Sequence, residues 1–100
     1  MKDAKILLIE GRHTEVPSFA PELQKKGFEV VLAQSGGEAA KRLDKIAPHL
    51  AVVNAASLRS SGVRICQSLR EKDSKLPVIL IVAADMEVDK EVADAVLSLP

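Results

Sequence analysis

The residues of this chain that could do chemistry stand at the ends of short apolar runs. Glu10 and Gly11 follow residues 6–9, Asn54 follows residues 50–53, and residues 78–82 end at Val82. If these runs are neighbouring parallel strands, their carboxyl ends meet at one sheet edge, where α/β proteins bind ligands and carry out reactions. The pocket would hold one carboxylate, one amide and no hydroxyl. The pocket therefore has the position of an acidic site but only one acidic side chain.

Each of these polar residues has a plainer interpretation beside the chemical one. Asn54 could bind a ligand through its amide, but we expect it to be a polar residue of an inactive pocket, with its amide hydrogen-bonded to nearby backbone. Glu10 could bind a cation, but we expect a solvated carboxylate at a strand end. The glycine-rich segment 35–37 is not followed by the Gly-Lys-Ser/Thr of a phosphate-binding loop, so a helix cap explains it better. Cys66 is interpreted as a small buried hydrophobe.

Length and composition bound the class of protein. One hundred residues, of which 47% are apolar, suit one small domain. Charges balance at 14 against 14, so the electrostatic footprint of nucleic-acid binding is missing. We expect no membrane role, because no apolar stretch approaches a membrane span and the N-terminus has no signal-peptide pattern. A lone cysteine agrees with a reducing compartment, and we expect a cytoplasmic location.

The elements that must position these residues alternate between strand and helix. We predict strands at 5–9, 28–33, 50–53 and 78–82, since short continuous apolar runs suit strands buried on both faces. Helices are predicted between them: one ended by Gly27, one at 38–46 after a capping box at Ser35, and one opened by Gly62. Right-handed crossovers between such units give a parallel sheet with helices on both faces.

Two regions stay open in this pattern. Pro17 and Pro21 cannot both lie in the first turn of a helix that begins near Thr14, so the first helix should begin around Pro17 or Ser18, or bend at Pro21. Residues 86–99 are spaced either for one amphipathic helix or for a short helix, capped by Asp85, followed by a fifth strand at 95–97.

Several segments, in this order and spacing, resemble the receiver domain of two-component response regulators. They are GFEVVLAQSGGEAAKRL at 27–43, PHLAVVN at 48–54, RICQSLR at 64–70, PVILIVA at 77–83 and ADAVLSLP at 93–100. The resemblance covers residues 3 to 100. It implies a flavodoxin-like three-layer α/β fold with strand order 2-1-3-4-5. It also favours the fifth strand, with a stunted fourth helix and no fifth helix within this chain.

The positions that carry phosphotransfer in the family depart from its pattern. The family's pair of acids reads Glu10-Gly11 here, and its phosphoacceptor aspartate is Asn54. Its hydroxyl residue after the fourth strand is Val82, its lysine is Leu99, and the proline of its acceptor loop is Leu58. A neutral amide is a far weaker nucleophile than a carboxylate, and magnesium prefers charged oxygen ligands. The resemblance therefore implies a degenerate pseudo-receiver.

These observations lead to one leading hypothesis and two alternatives. Residues 1–100 should form a single receiver-like domain, which we expect to be the N-terminal part of a longer protein. It should be no enzyme, hold magnesium weakly or not at all, need no other cofactor, and act by protein–protein interaction without phosphorylation. Its partner would be another protein, its own output domain, or a second copy bound through the strand 4/5 side. The alternatives are a receiver that uses another phosphoacceptor and a small-ligand domain at the strand-end pocket. We also predict that Gly11→Asp with Asn54→Asp restores some metal binding but little switching.

Overall fold

The computed structural model describes residues 4–11, 18–58, 61–83 and 88–99. Five strands form one sheet in the order β2-β1-β3-β4-β5, and every neighbouring pair is parallel. The strands are β1 (Lys5–Ile9), β2 (Glu29–Ala33), β3 (Leu50–Asn54), β4 (Val78–Val82) and β5 (Ala95–Ser98). The predicted strands and the strand order implied by the resemblance are confirmed.

Three α-helices connect these strands among the described residues: α1 (Ala20–Lys25), α2 (Gly36–Ile46) and α3 (Gly62–Lys72). Helix α1 begins later than we predicted, with Phe19 at its N-cap and Pro21 inside its first turn. That position spares the helix a lost hydrogen bond, since the first backbone N–H groups of a helix have no intrahelical acceptor. Pro17 lies outside the described residues.

Serine side chains begin α2 and α3. The Ser35 hydroxyl accepts a hydrogen bond from the Glu38 backbone N–H (3.1 Å), and the Ser61 hydroxyl accepts one from Arg64 (3.3 Å). Glu38 reaches back as in a capping box, but its carboxylate accepts from the backbone N–H of Gln34 instead of Ser35. Helix α2 ends with Ala47 in the left-handed conformation at φ 47°, just before Pro48.

The connection from β4 to β5 settles the ambiguous region. Residues 95–98 form a strand that pairs with β4, so the single-helix alternative for 86–99 is wrong. Among the described residues of this connection, the helical content is one 3₁₀ turn, Lys90–Val92. Asp85, the proposed cap of a short helix, lies outside the described residues. In the strand, the backbone N–H and C=O groups of residues 95–98 can pair with β4. A short helix without such a partner is only marginally stable.

Alternate residues of each strand face two apolar layers. The larger layer lies under α2 and α3 and contains Leu7, Val53, Cys66, Leu69 and Leu80. The smaller layer lies under α1 and contains Ile6, Leu8, Ala20, Val52 and Ile81. Two eleven-residue helices cover the first face, whereas the six-residue α1 is the one helix on the second among the described residues. The second face is therefore incompletely covered.

Candidate strand-end site

Strand register brings the ends of β1 and β3 side by side. Ile9 pairs with Val53, and Asn54 pairs with Ile81 of β4, so Glu10 and Asn54 extend from adjacent strands at the same sheet edge. The structure thus brings together Glu10, Gly11 and Asn54, as the sequence predicts. The parallel register alone makes these residues neighbours, because parallel strands all end at the same edge of the sheet.

The Glu10 side chain is buried rather than solvated. It is 7% exposed, and both carboxylate oxygens accept hydrogen bonds from described residues. The Ser18 hydroxyl donates to Oε1. The Phe19 backbone N–H donates to Oε2 over 2.9 Å, and Asn54 Nδ2 donates to the same atom over 3.1 Å. Our expectation of a solvated strand-end carboxylate is wrong, because the start of α1 closes over it.

The Asn54 side chain is fully buried beside this carboxylate. Its partner is the Glu10 side chain instead of the nearby backbone that we expected. The amide can face a carboxylate only with its NH₂ end, since its oxygen is an acceptor. That orientation leaves Asn54 Oδ1 buried and without a hydrogen-bond partner among the residues described.

Gly11 lies against the loop that follows β3. Its backbone N–H donates to the Ser57 hydroxyl (3.1 Å), which in turn donates to the Asn54 carbonyl oxygen (2.8 Å). A Cβ atom at position 11 would lie 2.2 Å from the Ser57 carbonyl oxygen. The space where the side chain of a second acid would begin is thus filled by the backbone of Ser57, the last residue of the 3₁₀ turn Ala55–Ser57, and of Leu58.

The two remaining predicted positions, Val82 and Leu99, belong to different apolar layers. Val82 is buried in the layer under α2 and α3, whereas Leu99 packs against the layer under α1. Their backbones meet, since the Leu99 N–H donates to the Val82 carbonyl oxygen over 2.9 Å. Leu58 packs against the larger layer. Neither Val82 nor Leu99 has a side-chain polar group that could join the hydrogen bonds of Glu10 and Asn54.

Sequence reasoning missed two residues of the site, Ser18 and Ser57. Each is a small polar residue in a loop, and each contacts a residue far away or on another element. A serine near a turn is ordinary capping chemistry, so its type and spacing carried no signal for a role at the strand ends. Only the fold shows that both hydroxyls reach this pocket.

Metal-binding and membrane features are absent from the described part of the chain. No three His, Cys, Asp or Glu side chains there come together as a metal-ligand set. No described helix has the length and apolar character to cross a bilayer.

The incompletely covered face of the sheet carries an apolar groove of about 340 Å³. We call it the α1 groove; its floor and walls include Ile6, Phe19, Leu23, Val52, Ile81 and Leu97. Glu22 is the one charged side chain among its lining residues. Leu97 is 54% exposed and lies on the edge strand β5. Phe19 therefore belongs to both places, because its backbone contacts Glu10 and its side chain lines the α1 groove.

Comparison with known proteins places this arrangement in a family. The family model described as the response regulator receiver domain matches residues 6–96. The alkaline phosphatase synthesis transcriptional regulatory protein PhoP of Bacillus subtilis (strain 168) is 29% identical over 86 residues, which are 86% of this chain and 36% of PhoP. The sensory transduction protein RegX3 of Mycobacterium tuberculosis (strain ATCC 25618 / H37Rv) is 30% identical over 87 residues, which are 87% of this chain and 38% of RegX3. The chain thus spans little more than a third of the length of these relatives.

Solved structures agree on the fold. The response regulator TrrA from Thermotoga maritima, crystallised in complex with Mg²⁺-BeF, superimposes with a TM-score of 0.79 at 22% identity. That match covers 97% of this chain and 87% of the TrrA chain. Together, the family match over most of the sequence, the strand order and the acidic strand-end position identify the chain. It belongs to the receiver domain family of two-component response regulators.

Proposed function

We propose that this chain is a pseudo-receiver: a receiver domain that works without phosphorylation and acts by protein–protein interaction. The observation that carries the proposal is the closed pair of Glu10 and Asn54. Both oxygens of the one carboxylate accept hydrogen bonds from within the domain, and an amide stands at the acceptor position. Aspartyl-phosphate chemistry needs a carboxylate nucleophile at that position. An amide there argues for a signalling role that does not depend on the phosphoryl group.

Magnesium, which a working receiver would need, fits these residues poorly. The ion prefers several hard oxygen ligands in near-octahedral geometry, with carboxylates supplying charge. Glu10 is already committed to three donors, and the space beside Gly11 is filled by the Ser57 carbonyl. To bind the ion through both oxygens, Glu10 would have to give up at least one of these donors. We therefore assign the pocket no metal-dependent step.

The apolar residues at the switch positions support the same proposal. A phosphoryl group is held by hydroxyl and cationic groups, which donate charge-assisted hydrogen bonds. Val82 and Leu99 offer neither, and their side chains belong to apolar layers on opposite faces of the sheet. An anion in the pocket would therefore gain no contact from either residue.

The proposal is tested with beryllofluoride and magnesium, the combination present in the TrrA crystal. We expect no saturable change in the ¹H–¹⁵N spectrum of this chain at Gly11, Asn54 or Ser57. A working receiver measured in parallel serves as the positive control. Saturable shifts at those residues would reject the proposal in favour of a receiver with another phosphoacceptor. A metabolite retained under native mass spectrometry would instead favour a small-ligand domain at the pocket.

The interaction surface that we propose is the side of strands 4 and 5. Leu97 on β5 is one of two large hydrophobic residues that are strongly exposed among those described, the other being Leu32 on β2 at 50%. The backbone edge of β5 has no neighbouring strand among the described residues. Exposed edges and exposed leucines both invite pairing with another chain. A partner protein, an output domain or a second copy would be bound there.

Two matched substitutions test this surface. Leu97→Thr and Leu32→Thr each remove one exposed leucine from an edge strand and keep a residue that favours strands. We expect the first to weaken self-association or partner binding and the second to leave both unchanged. Sedimentation with interference optics measures self-association, because the chain has no Trp or Tyr to absorb at 280 nm. Equal behaviour of the two variants would remove β5 as the interaction side.

A further inference from the structure

We propose that Glu10 is a positioning residue that couples the strand-end pocket to the α1 groove. One carboxylate oxygen, Oε2, accepts hydrogen bonds both from the pocket, through Asn54 Nδ2, and from the start of α1, through the Phe19 N–H. A change at Asn54 must therefore alter an atom that also holds the groove wall. The coupling is a property of the isolated domain and does not depend on the proposed function. Only a role for the coupling in signalling rests on that function.

Helix α1 is short, and the backbone hydrogen bonds at its start lead to Glu10. It has six residues, and its N-cap residue, Phe19, gives no side-chain cap. Pro21 has no N–H to donate. The N–H of Ala20 donates to the Ser18 hydroxyl (3.1 Å), and that hydroxyl donates to Glu10 Oε1. The first two backbone N–H groups thus end on Glu10, one directly and one through Ser18.

The same turn forms a wall of the α1 groove. The side chains of Phe19 and Leu23 line the groove opposite floor residues such as Val52 and Ile81. Phe19 is the residue whose N–H the carboxylate holds. We expect the loss of that hydrogen bond to loosen the Phe19 ring over the floor, where packing against the smaller layer still holds it in part. The groove then changes shape without any change in its own lining residues.

Asn54 is the point from which the pocket acts on this arrangement. The amide reaches Glu10 across adjacent strands of a rigid sheet and satisfies part of Oε2 with a neutral donor. A carboxylate at position 54 would remove the donor and repel Glu10. Glu10 would turn away, and the Phe19 N–H would lose its acceptor. The coupling is reciprocal. If the closed Glu10–Asn54 pair raises the affinity of the groove for an occupant by some factor, binding of that occupant favours the closed pair by the same factor.

Hydrogen exchange of single amides tests the coupling. In Asn54→Asp we expect the amides of Phe19 and Ala20 to exchange about tenfold faster or more, which is the effect of losing one hydrogen bond to a charged group. The amides of Cys66 and Leu69 in α3 should change less, because α3 does not contact Glu10. The neutral dye Nile red should bind the loosened groove with higher fluorescence. Ser35→Ala is the matched control: it removes the cap of α2, which lies outside the pocket and the groove, and should leave exchange at Phe19 and Ala20 unchanged.

A second variant keeps the proposal open to failure if Asn54→Asp does not fold. Glu10→Gln keeps the shape of the side chain but replaces one acceptor oxygen with an NH₂ donor, so it should speed exchange at Phe19 or Ala20 while leaving α3 alone. Unchanged exchange at both residues in either folded variant would overturn the coupling. Equal acceleration in α1 and α3 would also overturn it, because that pattern means global destabilisation. Beryllofluoride binding tests the proposed function separately and has no bearing on these results.

Discussion

Asn54 donates to Glu10 across two adjacent strands, with 3.1 Å between Nδ2 and Oε2. The amide has nearly the shape of an aspartate but the opposite effect on its neighbour. An aspartate there would place a second negative charge beside a buried carboxylate, and like charges at this separation repel strongly in a poorly solvated site. The amide instead satisfies the carboxylate. One amide group thus converts a repulsive pair into a stabilising one.

The first prediction concerns the stability of Asn54→Asp. We expect a loss of about 1–3 kcal/mol in the free energy of unfolding near neutral pH, because a hydrogen bond is replaced by repulsion. The loss should shrink as the pH is lowered, since protonation of the introduced aspartate removes the repulsion. Urea unfolding at several pH values, followed by circular dichroism at a helix wavelength, measures it. A variant as stable as the parent at neutral pH would contradict the contact with Glu10.

The same variant should still fail as a phosphoacceptor. Asn54→Asp supplies the nucleophile, but the second acid, the hydroxyl and the lysine of the family pattern remain missing at Gly11, Val82 and Leu99. After incubation with acetyl phosphate and magnesium, we expect the intact mass to stay that of the unmodified chain. A mass increase of one phosphoryl group at position 54 would show that the pocket needs only its carboxylate to work.

A second prediction uses the close contact at Gly11. Because a Cβ atom there would lie 2.2 Å from the Ser57 carbonyl oxygen, Gly11→Ala should destabilise the domain by about 1–3 kcal/mol. Gly37→Ala is the control, since a Cβ atom there meets nothing within 4 Å and the residue lies in the first turn of α2. That change should be neutral or stabilise by up to about 1 kcal/mol. Equal effects would mean that the loop after β3 yields easily. The contact also bears on our prediction that Gly11→Asp with Asn54→Asp restores some metal binding, because the new side chain at position 11 would first have to displace the Ser57 carbonyl.

A third prediction concerns the carboxylate of Asp94 near the start of β5. A hydrogen bond from the Val78 N–H (2.7 Å) lowers the pKa of Asp94, and the Arg70 guanidinium (3.0 Å) adds to the effect. A lowered pKa in the folded state stabilises the fold above the ordinary aspartate pKa of about 3.9, and this stabilisation is lost as the pH falls through the folded-state value.

Asp94→Asn should therefore reduce stability at neutral pH and flatten its fall in acid. Chemical unfolding between neutral and strongly acidic pH measures both effects. The control is Asp44→Asn, which neutralises an exposed aspartate of α2. If the free energy of unfolding falls with pH to the same extent in both variants, the contacts of Asp94 do not lower its pKa enough to stabilise the fold.

A fourth prediction follows from the burial of Cys66. Burial raises the pKa of this thiol to about 11, and the positive charge of Arg70 offsets only part of the rise. The nucleophilic thiolate is therefore scarce at neutral pH, and access is closed. We expect a disulfide reagent such as DTNB to label the folded chain far more slowly than the urea-unfolded chain. Rapid labelling of the folded chain would show that α3 opens locally.

Much of the fold could be predicted because its signals are local. Apolar runs define the strands, and the Ser35 hydroxyl does begin α2 as its position before Gly36 and Gly37 suggests. The start of α1 could not be predicted, because it is set by Glu10 and Ser18 from outside the helix. The fifth strand needed the family resemblance, since periodicity alone favours a helix over residues 86–99. Pairing with β4 decides the matter, and periodicity carries no information about pairing.

The position of the site could be predicted from the sequence, but the burial and the contacts of its residues could not. The strand ends showed that Glu10 and Asn54 would be neighbours, because a parallel sheet brings its carboxyl ends together. The burial of Glu10 depends on its contacts with Ser18 and Phe19, and the contact at Gly11 depends on the Ser57 backbone. Neither depends on residue type at the site itself, so no motif could reveal them.

The Ser57 backbone beside Gly11 also bears on how such a pocket changes over generations. With the Ser57 carbonyl oxygen 2.2 Å from the place of a Cβ atom, a single codon change at position 11 creates a collision with the main chain. A side chain there needs the loop after β3 to move at the same time. Two coordinated changes are therefore required where the sequence alone suggests that one would be enough.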